Sequence, residues 1–333
     1  MTLNVKPRWA GDDWLSRFVN LLIQTKPIYR VMKSQARGVI IKTAEKNGIA
    51  WKETVQRLKT PETEQAIAQV TNPDITYPSY YTVPFHAYDE GNLCWLAAYE
   101  AVPATYAMAL RIWPNESLTW QSAQDRLRNS FHQVLAQHGP AQVTDILDLG
   151  CSIGISTQAI HSYYSEKKSE QSEQIGEKQY EEKQRESVRT VGLDLSPYML
   201  SVAKVQSPNS NIQWKHAKAE DTGLHESSFD LITLQFVIHE LPRHITKAIF
   251  NEAFRLLRPG GALAIVDNNP QSTVIQNLPP ALFTLMKSTE PWSDDYYTFN
   301  VEAALEESGF EQVITVESDP RHRTIVGKRT VKS

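Results

Sequence analysis

The side chains best suited to chemistry fall in a few short stretches. Asp145-Ile146-Leu147-Asp148-Leu149-Gly150-Cys151-Ser152-Ile153-Gly154 reads as an apolar strand running through small residues into the start of a helix. Small residues let the backbone approach a ligand closely, and a helix start offers free N–H groups at the positive end of a dipole. Val191-Gly192-Leu193-Asp194-Leu195-Ser196 places a carboxylate at a second strand tip, where it can accept both hydroxyl protons of a ribose. With the charged stretch 165–187 set aside, Asp194 falls about twenty residues beyond the glycine turn, as such an acid should. Ala219-Glu220-Asp221, after a third strand, can line an adenine pocket. His239-Glu240 follows a fourth strand and joins an imidazole, whose ordinary pKa suits proton transfer near neutrality, to a carboxylate. His86 is a second candidate base, in a stretch crowded with aromatic residues.

The elements that must position these groups alternate. Strands are expected at Val188–Asp194, Ile212–His216, Phe229–Val237, Ala262–Asp267, Val313–Glu317 and Thr324–Gly327, and helices at Pro197–Val205, Arg243–Leu257 and Val301–Ser308. Strand-helix alternation predicts a Rossmann-like, doubly wound, mostly parallel α/β sheet with ligands beyond the carboxyl ends of its strands. Leu257-Arg258-Pro259-Gly260-Gly261 is expected to turn into the fifth strand. Residues 165–187 are almost entirely Glu, Lys, Gln and Ser without apolar periodicity, which predicts a solvated, disordered insertion.

Before the glycine turn the chain reads as helical. Apolar positions between about Asp12 and Lys59 recur at helical spacing, Asn47-Gly48 closes the pattern, and a short helix is expected over Trp51–Leu58. Further helices are expected at Leu93–Ile112, kinked or interrupted by Pro103, and at Leu118–His138. Tyr80, Tyr81, Phe85, His86, Tyr88 and Trp95, broken by Pro78, Pro84 and Gly91, suit a loop that covers a cleft. The expected division is a helical cap over 1–140 and a sheet domain over 141–333, with a possible homodimer through the amino-terminal helices.

The 333 residues, 41% hydrophobic, suffice for one large core or two moderate ones. A formal charge of -4 leaves no basic footprint for a nucleic acid. Two cysteines, Cys94 and Cys151, are too few for a disulfide framework, and no apolar leader or spanning segment is visible, so a cytoplasmic location is expected.

From about Asp145 to Gly327 the sequence resembles a class I S-adenosylmethionine-dependent methyltransferase. The resemblance rests on Asp148-Leu149-Gly150-Cys151-Ser152-Ile153-Gly154, on Asp194, on Phe229-Asp230-Leu231-Ile232 and on Leu257-Arg258-Pro259-Gly260-Gly261. It implies a sheet of order 3-2-1-4-5-7-6 and S-adenosyl-L-methionine as cofactor. It also implies that Asp148, Gly150, Ser152 and Gly154 meet the amino-acid part of the cofactor, Asp194 its ribose and Leu195 its adenine. Ser152 stands where the family usually has a central glycine, and Lys218-Ala219-Glu220 where many members have Asp-Ala-Glu, leaving Glu220 or a backbone group for the adenine amine. Tyr88-Asp89 with Asn92 is similar to an entrance motif of some small-molecule members, and Gln235 is placed to meet the cofactor amino group.

A methyl group on sulfonium is already activated, so the protein must mainly align an acceptor and exclude water, with His239, Glu240 or His86 taking a proton where needed. The expected acceptor is a small organic molecule, methylated at oxygen or carbon. Its contacts are expected from Tyr81 and Phe85 and, beyond strand five, from Asn268, Trp292, Tyr296 and Tyr297. Asp267-Asn268 also invites a metal, but hard cations want several oxygens, and none is expected. Gly150-Cys151-Ser152-Ile153-Gly154 equally spells a hydrolase elbow with Ser152 as nucleophile and Asp267 and His322 following in order. A protein that binds the cofactor without transferring from it is the third reading.

Overall fold

The computed structural model describes residues 37–86, 88–175, 187–208, 211–279 and 289–330. Most of the helical pattern expected from Asp12 onward, and with it the proposed dimer surface, lies outside the described residues. A helix through 37–46 ends at Asn47-Gly48, where Gly48 takes φ +78°.

Four helices then precede the first strand: α1 (Trp51–Leu58), α2 (Pro61–Val70), α3 (Trp95–Leu110) and α4 (Trp120–His138). Helix α2 follows from local chemistry that the periodicity reading passed over: Thr60 caps it by accepting the Thr63 N–H at 3.3 Å, and Pro61 fills its first turn. Helix α3 is continuous through Pro103, so of the expected kink or interruption the interruption does not occur, and Val102 and Pro103 are both buried. Thr119 caps α4 through the Ser122 N–H at 3.1 Å.

The sheet elements follow as β1 (Asp145–Leu149), α5 (Ile155–Ile175), β2 (Arg189–Asp194), α6 (Pro197–Gln206), β3 (Ile212–His216), β4 (Phe229–Gln235) and a 3₁₀ turn (Ile238–Glu240). Next come α7 (Arg243–Leu256), β5 (Leu257–Asn268), α8 (Thr273–Gln276), α9 (Ser293–Tyr297), α10 (Val301–Glu307), β6 (Glu311–Glu317) and β7 (His322–Lys328). The seven strands run in the order 3-2-1-4-5-7-6, parallel except for the antiparallel β7. This is the expected α/β architecture.

Alternation along β1 sends Ile146 and Leu147 to opposite faces, and both are fully buried. Leu147 joins Leu234, Leu263, Phe250 and Leu305 on one face, while Ile146 joins Phe131, Leu135, Ile160 and Val266 on the other. The amino-terminal helices share core with the sheet: Leu58, Ala98 and Val102 pack with Ile153, Met199 and Val202.

Two expectations change. Helix α5 runs to Ile175, so the first half of the stretch expected to be disordered is helical. Glu, Lys and Gln are good helix formers, and extending a nucleated helix is far easier than starting one. Residues 176–186 lie outside the described residues. The Pro259-Gly260-Gly261 segment is no turn before β5 but a bulge within it, where the register shifts between Phe229 and Leu231. Gly261 is forced there, since a Cβ would lie 2.8 Å from the Asp230 carbonyl oxygen.

Parallel order delivers the chemistry-bearing side chains to one edge. Asp148 and Asp194 lie at or beside the carboxyl ends of β1 and β2, Gln235 at that of β4, and Asp267 at that of β5.

Candidate active site

The turn after β1 is built from left-handed residues: Gly150 has φ +71°, Ser152 +49° and Gly154 +78°. A Cβ on Gly150 would lie 2.7 Å from Val237 Cγ2, and one on Gly154 2.4 Å from Trp214 Cη2, so packing as well as φ demands glycine at both. Ser152 holds the same backbone region despite its side chain. Its N–H donates to Asp194 Oδ2 at 2.7 Å, locking the turn after β1 to the acid at the end of β2.

Asp148 is a fastener in this arrangement. It is buried and accepts from Thr157 and Thr233 hydroxyls at 2.6 Å each and from Gln235 Nε2 at 3.4 Å. Burial raises its pKa, and those hydrogen bonds oppose the rise.

Asp194 is only 8% exposed. Burial lifts its pKa to about 6, although the Ser196 and Ser152 N–H groups and the Tyr81 hydroxyl all favour the ionised form. Those three donors lie at 2.8, 2.7 and 3.5 Å. Leu195, next in the chain, is buried, and its carbonyl accepts from His216 Nε2 at 3.1 Å. The His216 tautomer follows from Nδ1, which accepts the Asn72 N–H at 3.0 Å. Past β3, Ala219 is half-buried, and Glu220 Oε1 accepts the Tyr80 hydroxyl at 2.8 Å while its buried Oε2 has no partner.

The aromatic segment therefore folds down on the carboxyl edge. Tyr80 and Tyr81 reach the two acids expected to hold ribose and adenine. Tyr88 reaches elsewhere: its hydroxyl donates to Glu100 Oε2 at 2.7 Å, and its ring packs in the cluster containing Ile153 and Met199. Glu100, 1% exposed, also accepts from Arg37 and from Trp51 Nε1 at 3.3 Å, tying the loop to helices α1 and α3. Asn92 accepts the Ser196 hydroxyl through its carbonyl at 2.6 Å.

A second cluster lies past β4 and β5. His239 Nδ1 sits 2.7 Å from Asp267 Oδ1, and Nε2 sits 3.9 Å from Glu240. Burial alone would lower the His239 pKa, but the Asp267 carboxylate outweighs it and pushes the value up to about 10. His86 Nε2 stands 3.8 Å from both Glu240 and Glu290. Burial lowers its pKa too, and these two carboxylates turn the net shift upward. Its φ of +46° is a strained conformation of the kind that gathers at functional sites. Glu240 is raised by desolvation, whereas Glu290, half-buried like it, is held down by its contact with His86 and the charge of His239.

Of the residues expected to meet an acceptor, Phe85 is buried with its ring 4.0 Å from that of His86. Tyr296 packs edge-on to His239 at 6.2 Å and to Tyr297 at 5.3 Å, and its hydroxyl donates to the Asn268 carbonyl. Tyr81 lies over Asp194 instead, and Trp292, partly exposed, precedes α9 outside the ring contacts of the cluster. Among the described residues no group of three or more His, Cys, Asp and Glu side chains is arranged to hold a metal.

The hydrolase reading fails on geometry. Ser152 Oγ points to the Met199 sulfur at 3.6 Å, Asp267 is engaged with His239, and His322 is paired with Asp319 at 2.8 Å. No triad assembles.

The periodicity reading missed Glu290, which sits just before the Pro291-Trp292 segment it had singled out, and Glu100 and Arg128, charges on helix faces that turn inward. A charge beside Leu127 and Phe131 on an amphipathic helix was the available signal for Arg128.

Residues 175–265, from the end of α5 into β5, match a sequence family described as a methyltransferase domain. Over that span the chain is similar to a methyltransferase domain. The family match begins within the charged stretch 165–187 and does not include the glycine turn. An uncharacterised methyltransferase of Synechocystis sp. is 32% identical over 124 residues, which are 37% of this chain and 57% of that protein. The demethylmenaquinone methyltransferase of Oceanobacillus iheyensis is 30% identical over 90 residues, 26% of this chain and 37% of its own length. The erythromycin 3''-O-methyltransferase of Saccharopolyspora erythraea is 35% identical over 91 residues, 26% of this chain and 29% of its own. The chain thus spans less than two thirds of each of these relatives. Among solved structures, human N-acetylserotonin methyltransferase is similar at 13% identity and a TM-score of 0.47, over 81% of this chain and 66% of that one.

The residues at this edge of the sheet fit an adenosyl ligand. Asp194 is a carboxylate kept in a position that disfavours its charge, and Glu220 Oε2 is a buried acceptor without a donor. No helix among the described residues is long and apolar enough to cross a membrane.

Proposed function

We propose that this protein transfers a methyl group from S-adenosyl-L-methionine to a small organic acceptor, at oxygen or at carbon. The observation that carries the reading is the Asp194 carboxylate, buried at the carboxyl edge of the sheet and bonded through the Ser152 N–H to the glycine turn. Asp194 takes the ribose hydroxyls and Glu220 the adenine amine, in place of Tyr81 and Tyr80. Gly150, Ser152 and Gly154 shape the turn that lies along the amino-acid part. Asp148, held by Thr157, Thr233 and Gln235, fixes that turn to β4.

The cofactor supplies a methyl group already activated by sulfonium. What the chain adds is alignment, exclusion of water and a place for a proton. His239, oriented by Asp267, accepts the proton of a hydroxyl acceptor once it is itself deprotonated, and Glu240 and His86 complete the polar wall. Tyr296, Tyr297, Phe85 and Asn268 bound the acceptor. Demethylmenaquinone and erythromycin, named for two of the relatives, are small organic molecules, which supports that class of acceptor. Residues 1–140 act as the covering part and 141–333 as the transferring part, in a cytoplasmic protein.

The test is incubation with methyl-labelled cofactor and a cell extract separated into small-molecule, lipid and macromolecular fractions. Label in the small-molecule or lipid fraction supports the proposal, whereas label in a protein or nucleic-acid band contradicts it. Cofactor binding with no label transferred to any fraction favours a protein that binds the cofactor silently.

A further inference from the structure

Helix α4, outside the sheet domain, turns one guanidinium inward. Arg128 is 8% exposed, and its Nη1 donates to Ser156 Oγ at 2.7 Å. Its buried Nε has no hydrogen-bond partner, and no ion pair reaches it among the described residues. Asp148 is the acid whose charge it feels, but the Asp148 oxygens are already taken by Thr157, Thr233 and Gln235. Burial lowers the Arg128 pKa to about 10, and one turn further along α4 burial together with the Arg128 charge pushes His132 down to about 4. Its other neighbour is the ring of Phe236, 5.9 Å away, which cannot neutralise it. A buried cation without a hydrogen-bonded anion is strongly unfavourable, so this position is short of one negative charge.

A second feature points to the same place. Ser156 lies in the first turn of the 21-residue helix α5, directly after the glycine turn. The first-turn N–H groups of a helix have no carbonyl partner within it, and the dipole there is positive. The unpartnered cation and the helix start converge on Ser156 from different elements.

We infer that Arg128 receives the α-carboxylate of the cofactor's amino-acid part, so that α4 contributes a binding residue to the methyltransferase domain. The inference rests on the cofactor reading above and adds a residue from outside the glycine-turn motif. A planar guanidinium with Nε and one further nitrogen available is suited to grip a carboxylate by two parallel hydrogen bonds.

The experiment compares two nucleosides by calorimetry without acceptor: S-adenosylhomocysteine, and 5'-methylthioadenosine, which lacks the amino-acid carboxylate. Arg128→Gln should weaken S-adenosylhomocysteine about 10- to 100-fold, the loss expected for a charge-assisted contact, and leave methylthioadenosine within about twofold. Arg128→Lys keeps the charge but loses the fork, and should recover part of the affinity for S-adenosylhomocysteine. Undiminished S-adenosylhomocysteine binding by Arg128→Gln, or equal losses for both nucleosides in both variants, overturns the assignment. Should the Gln variant fail to fold, the Lys variant decides alone: a loss confined to S-adenosylhomocysteine supports the assignment, and no selective loss overturns it. Wild-type protein that binds neither nucleoside overturns the cofactor reading itself, a distinct result.

Discussion

Lowering the pH from 7.5 to 5 should weaken S-adenosylhomocysteine binding about tenfold, because Asp194 must be ionised to accept two ribose hydroxyls and its pKa stands at about 6. At pH 7.5 nearly every molecule carries the carboxylate, and at pH 5 only about one in eleven does, a difference of about 1.4 kcal/mol in binding. An aspartate at its ordinary value of 3.8 would leave affinity flat across that range, so the slope reports the buried site specifically. The shift also bears on stability. The folded value lies above the unfolded one, so the ionised carboxylate lowers fold stability by about 3 kcal/mol above pH 6, and the penalty fades as pH falls toward 3.8. Asp194→Asn should lower affinity at pH 7.5 by about 10- to 100-fold and abolish the slope. Calorimetric titration at half-unit steps, with circular dichroism to confirm folding at pH 5, is the assay. A wild-type affinity that is independent of pH, or an Asn variant that keeps the slope, would refute the role given to Asp194.

Four further outcomes follow from the same geometry. With His239 held protonated to about pH 10 by Asp267, transfer to a hydroxyl acceptor should rise about tenfold per pH unit through neutrality; Asp267→Asn should move that limb toward 6.5, and a flat wild-type profile would exclude His239 as base. The same raised pKa gives a stabilising contribution that is complete below pH 6.5 and lost as pH rises through about 10, readable in the pH dependence of Tm. Tyr81→Phe removes the hydroxyl that approaches Asp194 at 3.5 Å, so stopped-flow association of S-adenosylhomocysteine should quicken several-fold; unchanged or slower association would show that Tyr81 does not compete for the ribose site. Glu100→Ala takes the acceptor from Trp51 and Tyr88 and the ion pair from half-exposed Arg37, and should cost about 1–3 kcal/mol in denaturant unfolding, whereas a loss below about 0.5 kcal/mol would show that the junction holds nothing.

Periodicity and turn chemistry carried most of the sheet. Apolar runs bounded by Asp, Gly and Pro mark β1 to β5, and because parallel connections place strand ends on one edge, the sequence alone groups Asp148, Asp194, Gln235 and Asp267. What was hidden shares a different cause. Helix α5 extends through a stretch with no apolar face because helix propagation needs none, and Pro259-Gly260-Gly261 is a bulge because β4 continues alongside it. Arg128, Glu100 and Glu290 acquire meaning only from partners 28, 12–63 and some 50–200 residues away in the chain, a relation that local pattern cannot express. The same holds for Tyr88, whose place in an entrance-like motif gave no sign that Glu100 would take its hydroxyl.

The central claim is that the carboxyl edge of the sheet seats the adenosyl group of the cofactor, and a crystal structure with S-adenosylhomocysteine tests it most directly. The account predicts the ribose on the Asp194 carboxylate, the adenine beside Glu220 and Leu195, and the Tyr80 and Tyr81 hydroxyls withdrawn from the acids. Crystals grown at saturating S-adenosylhomocysteine that leave both tyrosines on those acids, or that hold the nucleoside away from β1 and β2, would contradict it.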